Sequence, residues 1–221
     1  MTDVLVKDGT KTKQKRDAVA TKARILKAGL SEFGSKGFGG ARIESIVRKA
    51  GCNARMLYQY FGGKQGLYLA CLEEVYSRIR QEEHNLELSD KEPVDAIRSL
   101  VEFTFDHMRN NPDFVRIAGI ENTQKAKFLK KLPPVSNAAH DLIESIELIL
   151  ERGAKAGVLR DGIDAFQLYV SILSLSYLHL SNRFTLSVSY ERELGDEAWL
   201  DQRRNHACEL IVTFVTATKS T

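Results

Sequence analysis

The sequence predicts an all-α protein: a small N-terminal domain of three helices, followed by a larger helical domain. Three observations predict it. Apolar residues recur at steps of three and four along most of the chain, the period of one face of a helix. Breaks fall at short segments rich in glycine, proline or asparagine, at 89–93, 110–112, 133–134 and 157–162. Strand-like alternation is confined to 186–190, a stretch read here as a loop. A length of 221 residues with 43% hydrophobic content is enough for a substantial core.

Residues 1–16 carry Lys7, Lys11, Lys13, Lys15 and Arg16 without any apolar period, and are expected to form a flexible basic arm. From Asp17 a first helix is expected, with Val19, Ala23, Leu26, Leu30 and Phe33 on one stripe and Gly34 and Gly37 ending it. The glycines at 34, 37, 39 and 40 do not make a dinucleotide-binding loop, because the Gly-x-Gly-x-x-Gly register fails at Arg42 and no strand precedes it. A second helix over 42–50 buries Ile43, Ile46 and Val47. Gly51 supplies a tight turn, and Asn53 can cap the third helix by accepting backbone N–H bonds. In that third helix Met56, Leu57, Tyr60 and Phe61 face inward, leaving Ala54, Arg55, Tyr58 and Gln59 outside. A fourth helix over 64–83 shows Tyr68, Cys71 or Leu72, Val75 and Ile79 on one face. Further helices are expected over 93–109, 113–130, 135–156, 163–183 and 196–217.

Two short apolar-faced helices hinged on one glycine are the pattern of a helix-turn-helix. The second of them is too short to stand alone. It carries Asn53, Arg55, Tyr58, Gln59 and Tyr60, side chains suited to base edges and phosphate oxygens. Charge supports the same reading. Up to Lys64 the chain has 14 lysines and arginines against 5 acidic residues, a net of +9, whereas the remainder has 18 against 24, a net of −6. A polyanion is attracted to the first part and repelled by the second. Lys64 opposes the positive end of the fourth helix's dipole, a placement that a DNA phosphate would relieve.

Gly37-Phe38, Ile43-Glu44-x-Ile46, Ala50-Gly51, Leu57-Tyr58-x-Tyr60-Phe61 and Lys64-x-x-Leu67 together resemble the DNA-binding domain of the TetR family of bacterial transcription regulators. The resemblance covers about residues 18–70 and departs at two places. Ala41-Arg42 stands where a Thr or Ser commonly caps the second helix, and Arg55 stands where a small residue is common. The resemblance implies a DNA-binding domain over 17–64 and a ligand-binding and dimerisation domain over 65–221. It assigns base-edge contacts to Arg42, Glu44, Ala54, Arg55 and Gln59, and phosphate contacts to Tyr58, Tyr60 and Lys64, with Asn53 at the cap. It further implies a repressor released from a palindromic double-stranded DNA operator by a small-molecule effector. Phe103, His107, Phe114, Tyr169, Tyr177 and His179 are the aromatic and polar residues that could line the effector cavity, although each also suits an ordinary core.

The segment 166–180 is apolar nearly all round, with Phe166, Val170, Leu173, Tyr177 and Leu180 on one side and Leu168, Ile172, Leu175 and Leu178 on others. Such a helix must be covered on two faces. With Leu200, Ala207, Leu210, Ile211 and Phe214 of the final helix it could form a homodimer interface, as the family's four-helix dimer bundle implies; the alternative is the centre of a monomer core.

Other chemistries lack their residues. The five histidines form no metal-binding pattern, and no nucleophile elbow or Walker loop occurs, so neither enzyme, metal nor cofactor is expected. Glu73-Glu74, Glu82-Glu83 and Glu144/Glu147 are read as solvated helix faces. Three scattered cysteines and the absence of a signal-like or membrane-spanning segment point to the cytoplasm and away from a membrane. The rival reading is a small-molecule sensor or protein-interaction module whose helix-turn-helix is only structural.

Overall fold

The computed structural model describes residues 5–132 and 136–217, with side chains for 17–132 and 139–217. Ten α-helices and two 3-10 turns account for nearly all of it. Leu159 and Thr216 form an isolated antiparallel bridge, and no strand occurs among the described residues. The chain divides into two compact units: Met1–Val75 with Arg116–Leu132, and Tyr76–Val115 with Pro133–Thr221. The first division therefore falls inside the fourth helix, beyond the Lys64 boundary expected from sequence, and 116–132 joins the N-terminal unit.

In the first unit α1 is Leu5–Gly40, with a non-helical kink at Gly37, α2 is Ile43–Ala50 and α3 is Ala54–Phe61. The N-terminal part of α4, Lys64–His84, and the C-terminal part of α6, Pro112–Thr123, complete it with a 3-10 turn at Leu129–Lys131. Helix α1 starts at Leu5 rather than near Asp17, so part of the expected arm has helical backbone; residues 1–4 and the basic side chains up to Arg16 lie outside what is described. Its buried stripe also differs. Val19 is 65% exposed and Ala23 is exposed, while Thr21, Ile25, Ala28, Glu32 and Phe33 are buried. Two buried polar residues shift the hydropathic phase away from the true inner face.

The core of this unit gathers Ile25, Phe33, Ile46, Leu57, Leu67, Tyr68, Cys71 and Leu72. Phe33 and Tyr68 meet edge to face at 4.9 Å, within the range favoured for aromatic pairs. Gly66 is required by close approach: a Cβ there would lie 1.7 Å from the Phe61 carbonyl oxygen. That fit seats the start of α4 against the end of α3.

In the second unit α5 is Pro93–Asn110, α7 Ser136–Lys155, α8 Ala165–Ser181, α9 Arg183–Tyr190 and α10 Glu197–Val215. Its core is built from Ile97, Leu100, Val101, Phe105, Ile146, Ile149, Leu168, Ile172, Leu200, Ala207 and Ile211. Asp164 and Asp196 cap α8 and α10, accepting from the backbone N–H of Gln167 and Trp199. The stretch 186–190, expected as loop, is the second half of α9, a helix with no buried residue. With no core to impose a 3.6-residue period, its apolar alternation carries no strand meaning.

Candidate nucleic-acid interface

The helix-turn-helix is fixed by bonds that the sequence only partly announces. Gly51 ends α2 at φ 63°, and its conformation lets Cys52 N–H return to the Val47 carbonyl at 3.0 Å. Asn53 then caps α3, its Oδ1 accepting from Met56 N–H at 3.1 Å. Leu57 is fully buried and Met56, Tyr60 and Phe61 are half-buried, so α3 has a single permitted rotation about its axis. That rotation leaves Ala54, Arg55, Tyr58 and Gln59 exposed, with Asn53 beside them. Arg42 and Glu44 are exposed at the start of α2; Arg42 sits in extended conformation at the N-cap and makes no side-chain capping bond.

Lys64 is half-buried and its ammonium stays at the surface: Nζ donates to the Gly39 carbonyl at 3.3 Å in an exposed bond and lies 5.0 Å from the centre of the Phe38 ring. Tyr60 is half-buried, less available than its neighbour Tyr58 at 55% exposure. The nine residues expected at the interface thus separate into a fully presented set and two partly withdrawn ones.

Sequence reasoning missed the support beneath this surface. Glu32 of α1 is fully buried, and its carboxylate accepts from Lys36 Nζ at 2.7 Å, Ser45 Oγ at 3.0 Å and Lys49 Nζ at 3.1 Å. The Lys36 bond, then those of Lys49 and Ser45, holds the Glu32 carboxyl down to about 2 against the opposing effect of burial. Arg24 joins α1 to the end of α2, its Nε donating to the Ala50 carbonyl at 3.0 Å. An acidic residue inside a basic, apolar-faced helix was the available signal.

In the second unit the six residues expected at an effector cavity are all buried or half-buried. His107 Nδ1 lies 2.7 Å from Glu82 Oε2, and its ring meets Phe103 and Phe114 at 5.7 and 5.5 Å. Tyr169 donates to Glu83 at 2.9 Å, and Tyr177 donates to the Val115 carbonyl at 3.2 Å. His179 stacks on Phe105 at 5.0 Å, and burial, followed by the Arg203 charge, holds it down to about 4. Glu83, expected on a solvated face, is instead 5% exposed and paired with Arg80; burial pushes its carboxyl up. Arg80 Nε, His107 Nε2, Ser176 Oγ and both His179 nitrogens are buried without a hydrogen-bond partner among the described residues. A groove of about 270 Å³ lined by Ser89, Ser145, Leu148, Ile149, Glu151, Arg152 and Lys155 contains none of the six. No helix among the described residues is long and apolar enough to cross a membrane.

A family model described as bacterial regulatory proteins, tetR family, matches residues 25–71, and a tetracyclin repressor-like C-terminal domain model matches 93–211. The chain belongs to the TetR family. As a TetR regulator it is a DNA-binding transcription factor. It is 36% identical over 191 residues to the HTH-type transcriptional repressor NicS of Pseudomonas putida, covering 86% of this chain and 89% of that one. The HTH-type transcriptional repressor SCO4008 of Streptomyces coelicolor is 28% identical over 73% of this chain and 79% of its own. Among solved structures, the ketosteroid transcriptional regulator KstR2 of Mycobacterium tuberculosis aligns over 89% of this chain and 95% of its own, with a TM-score of 0.68 at 14% identity. At that identity the likeness shows the fold.

Proposed function

We propose that this TetR regulator is a repressor that binds a palindromic operator as a homodimer and is released by a small molecule held in its second unit. The observation that carries the reading is the fixed, outward presentation of Ala54, Arg55, Tyr58 and Gln59 on a capped α3 whose inner face is locked by Leu57. Arg42, Glu44, Ala54, Arg55 and Gln59 contact base edges; Tyr58, Tyr60 and Lys64 contact phosphates. Repression accords with the names borne by the two curated relatives. The buried polar groups on α4, α5 and α8, several without a protein partner, supply an effector with hydrogen bonds among aromatic walls, and an effector acts by binding one conformation better than the other. Phe103, His107, Phe114, Tyr169, Tyr177 and His179 frame that site.

Footprinting on the DNA upstream of the protein's own coding region tests the reading, with a symmetric protected site expected. Arg55→Ala should then relax sequence preference by about 1–3 kcal/mol at one base pair of each half-site, the usual worth of a bidentate arginine–guanine contact. Lys64→Ala should weaken all sequences alike and make the salt slope shallower by about 1. Equal loss of discrimination in both variants would contradict this division of roles.

A further inference from the structure

The part of the chain beyond Lys64 is acidic, yet residues 116–132 hold five lysines and arginines against one glutamate, a net of +4. Four of these charges, Lys125, Lys127, Lys130 and Lys131, fall within seven consecutive positions and all are exposed. Like charges at that density repel one another, so the arrangement disfavours itself unless an anion is nearby. None of the four has an acidic partner among the described residues; Lys127 and Lys131 lie over the Phe128 ring at 5.6 and 5.3 Å.

The segment is built into the DNA-binding unit. Phe128 is 2% exposed, with its ring 4.4 Å from Phe38 and 5.0 Å from Tyr68. Glu121 organises the turn: its Oε2 accepts from the backbone N–H of Phe128 and Leu129 at 3.1 and 3.0 Å, and its Oε1 accepts from the Tyr68 hydroxyl at 2.9 Å. Lys125 and Ala126 both adopt positive φ, 57° and 55°, a conformation that non-glycine residues hold only where the surroundings enforce it. Ala126 N–H closes the turn on the Glu121 carbonyl at 2.7 Å. The Phe38 ring that receives Phe128 is also the ring over which Lys64 stands. One aromatic layer therefore separates the lysine turn from the basic start of α4.

We propose that residues 124–131 are a second polyanion-binding surface of the DNA-binding unit, contacting phosphates of duplex that flanks the helix-turn-helix footprint. The inference rests on the DNA-binding reading above. Its contribution is sequence-independent, through release of counterions from the phosphates it meets.

The test uses the full chain and a variant with Lys125→Gln, Lys127→Gln, Lys130→Gln and Lys131→Gln, titrated by fluorescence anisotropy against mixed-sequence duplexes of about 16 and about 40 base pairs over a range of salt. The variant is expected to bind the long duplex about tenfold more weakly near 0.1 M salt, with a slope shallower by about 0.9 for each phosphate it no longer neutralises. On the short duplex it should match the unsubstituted protein within about threefold. Unchanged affinity and slope on the long duplex overturn the inference and leave the DNA-binding reading standing. Equal losses on both lengths also overturn it, because the lysines would then act as a diffuse field and not on flanking phosphates. If the unsubstituted protein binds neither duplex, both readings fall. Thermal melting of the variant at the unsubstituted temperature separates weakened binding from impaired folding.

Discussion

Glu32→Ala is expected to lower the unfolding free energy of the DNA-binding unit by about 3 kcal/mol. The carboxylate is fully buried and makes three hydrogen bonds, two of them to lysines. Truncation leaves Ser45 Oγ buried without a partner, a penalty of about 1–3 kcal/mol, and opens a cavity between α1 and α2. The lysines themselves limit the damage. Lys36 and Lys49 are 49% and 44% exposed, so water can take over their charges and neither is stranded as a fully buried ion would be. The sign of the pH dependence follows from the depressed carboxyl. Its folded value of about 2 lies below the ordinary glutamate value of about 4.3, so the contribution is present in full above the latter and is lost as pH falls through the former. Hydrogen exchange at α2 and α3 amides would show the difference between the two proteins shrinking from pH 5 to about pH 2. A gap that stays constant over that interval would mean that the carboxylate's charge contributes nothing.

The same residue explains where sequence reading succeeded and where it failed. The faces of α3 and α4 were legible because their inner residues, Leu57, Tyr68, Leu72, Val75 and Ile79, are apolar and repeat at helical spacing. The outward set on α3 followed as the complement. In α1 the buried stripe includes Thr21 and Glu32 while Val19 lies outside, so hydropathy pointed to the wrong phase. A buried carboxylate is recognisable only through its partners, and Ser45 and Lys49 come from another helix. Glu83 repeats the lesson: its neighbour Glu82 is half-buried, and what separates the pair is Tyr169, far along the chain. The membership of 116–132 in the N-terminal unit was illegible for the same reason, since Tyr68 and Glu121 meet by tertiary contact alone. The six residues proposed for the effector site were legible as buried, because aromatic and apolar neighbours surround them. The unsatisfied ring nitrogens of His107 and His179 emerge only when every potential partner has a position.

A double variant, Phe166→Glu with Phe214→Glu, is expected to turn the proposed dimer into monomers and to weaken operator binding by two orders of magnitude or more, to about 10²–10⁴-fold. Helix α8 leaves Phe166, Val170 and Leu178 exposed at 59%, 39% and 57%, and α10 leaves Leu210 and Phe214 exposed at 44% and 51%. Their spacing, four and eight residues on one helix and four on the other, makes two apolar stripes. Phe214 has a charged neighbour, Arg160, whose guanidinium lies 4.3 Å from the ring centre. Large apolar side chains left in water forgo about 25 cal/mol for every Å² that association would bury. In a twofold interface each substitution occurs twice on self-complementary surfaces, so two glutamates introduce four charges into one apolar patch. Loss of the dimer removes the second reading head, and with it the effective concentration that makes the second half-site nearly free to bind. Leu148→Glu, at a 63% exposed apolar residue of α7, provides the comparison for a surface charge placed elsewhere. Sedimentation equilibrium and operator titration, read together, separate the outcomes. A double variant that remains dimeric places the interface on another surface, while monomers that bind the operator with undiminished affinity would remove bivalency from the account of how this regulator reads DNA.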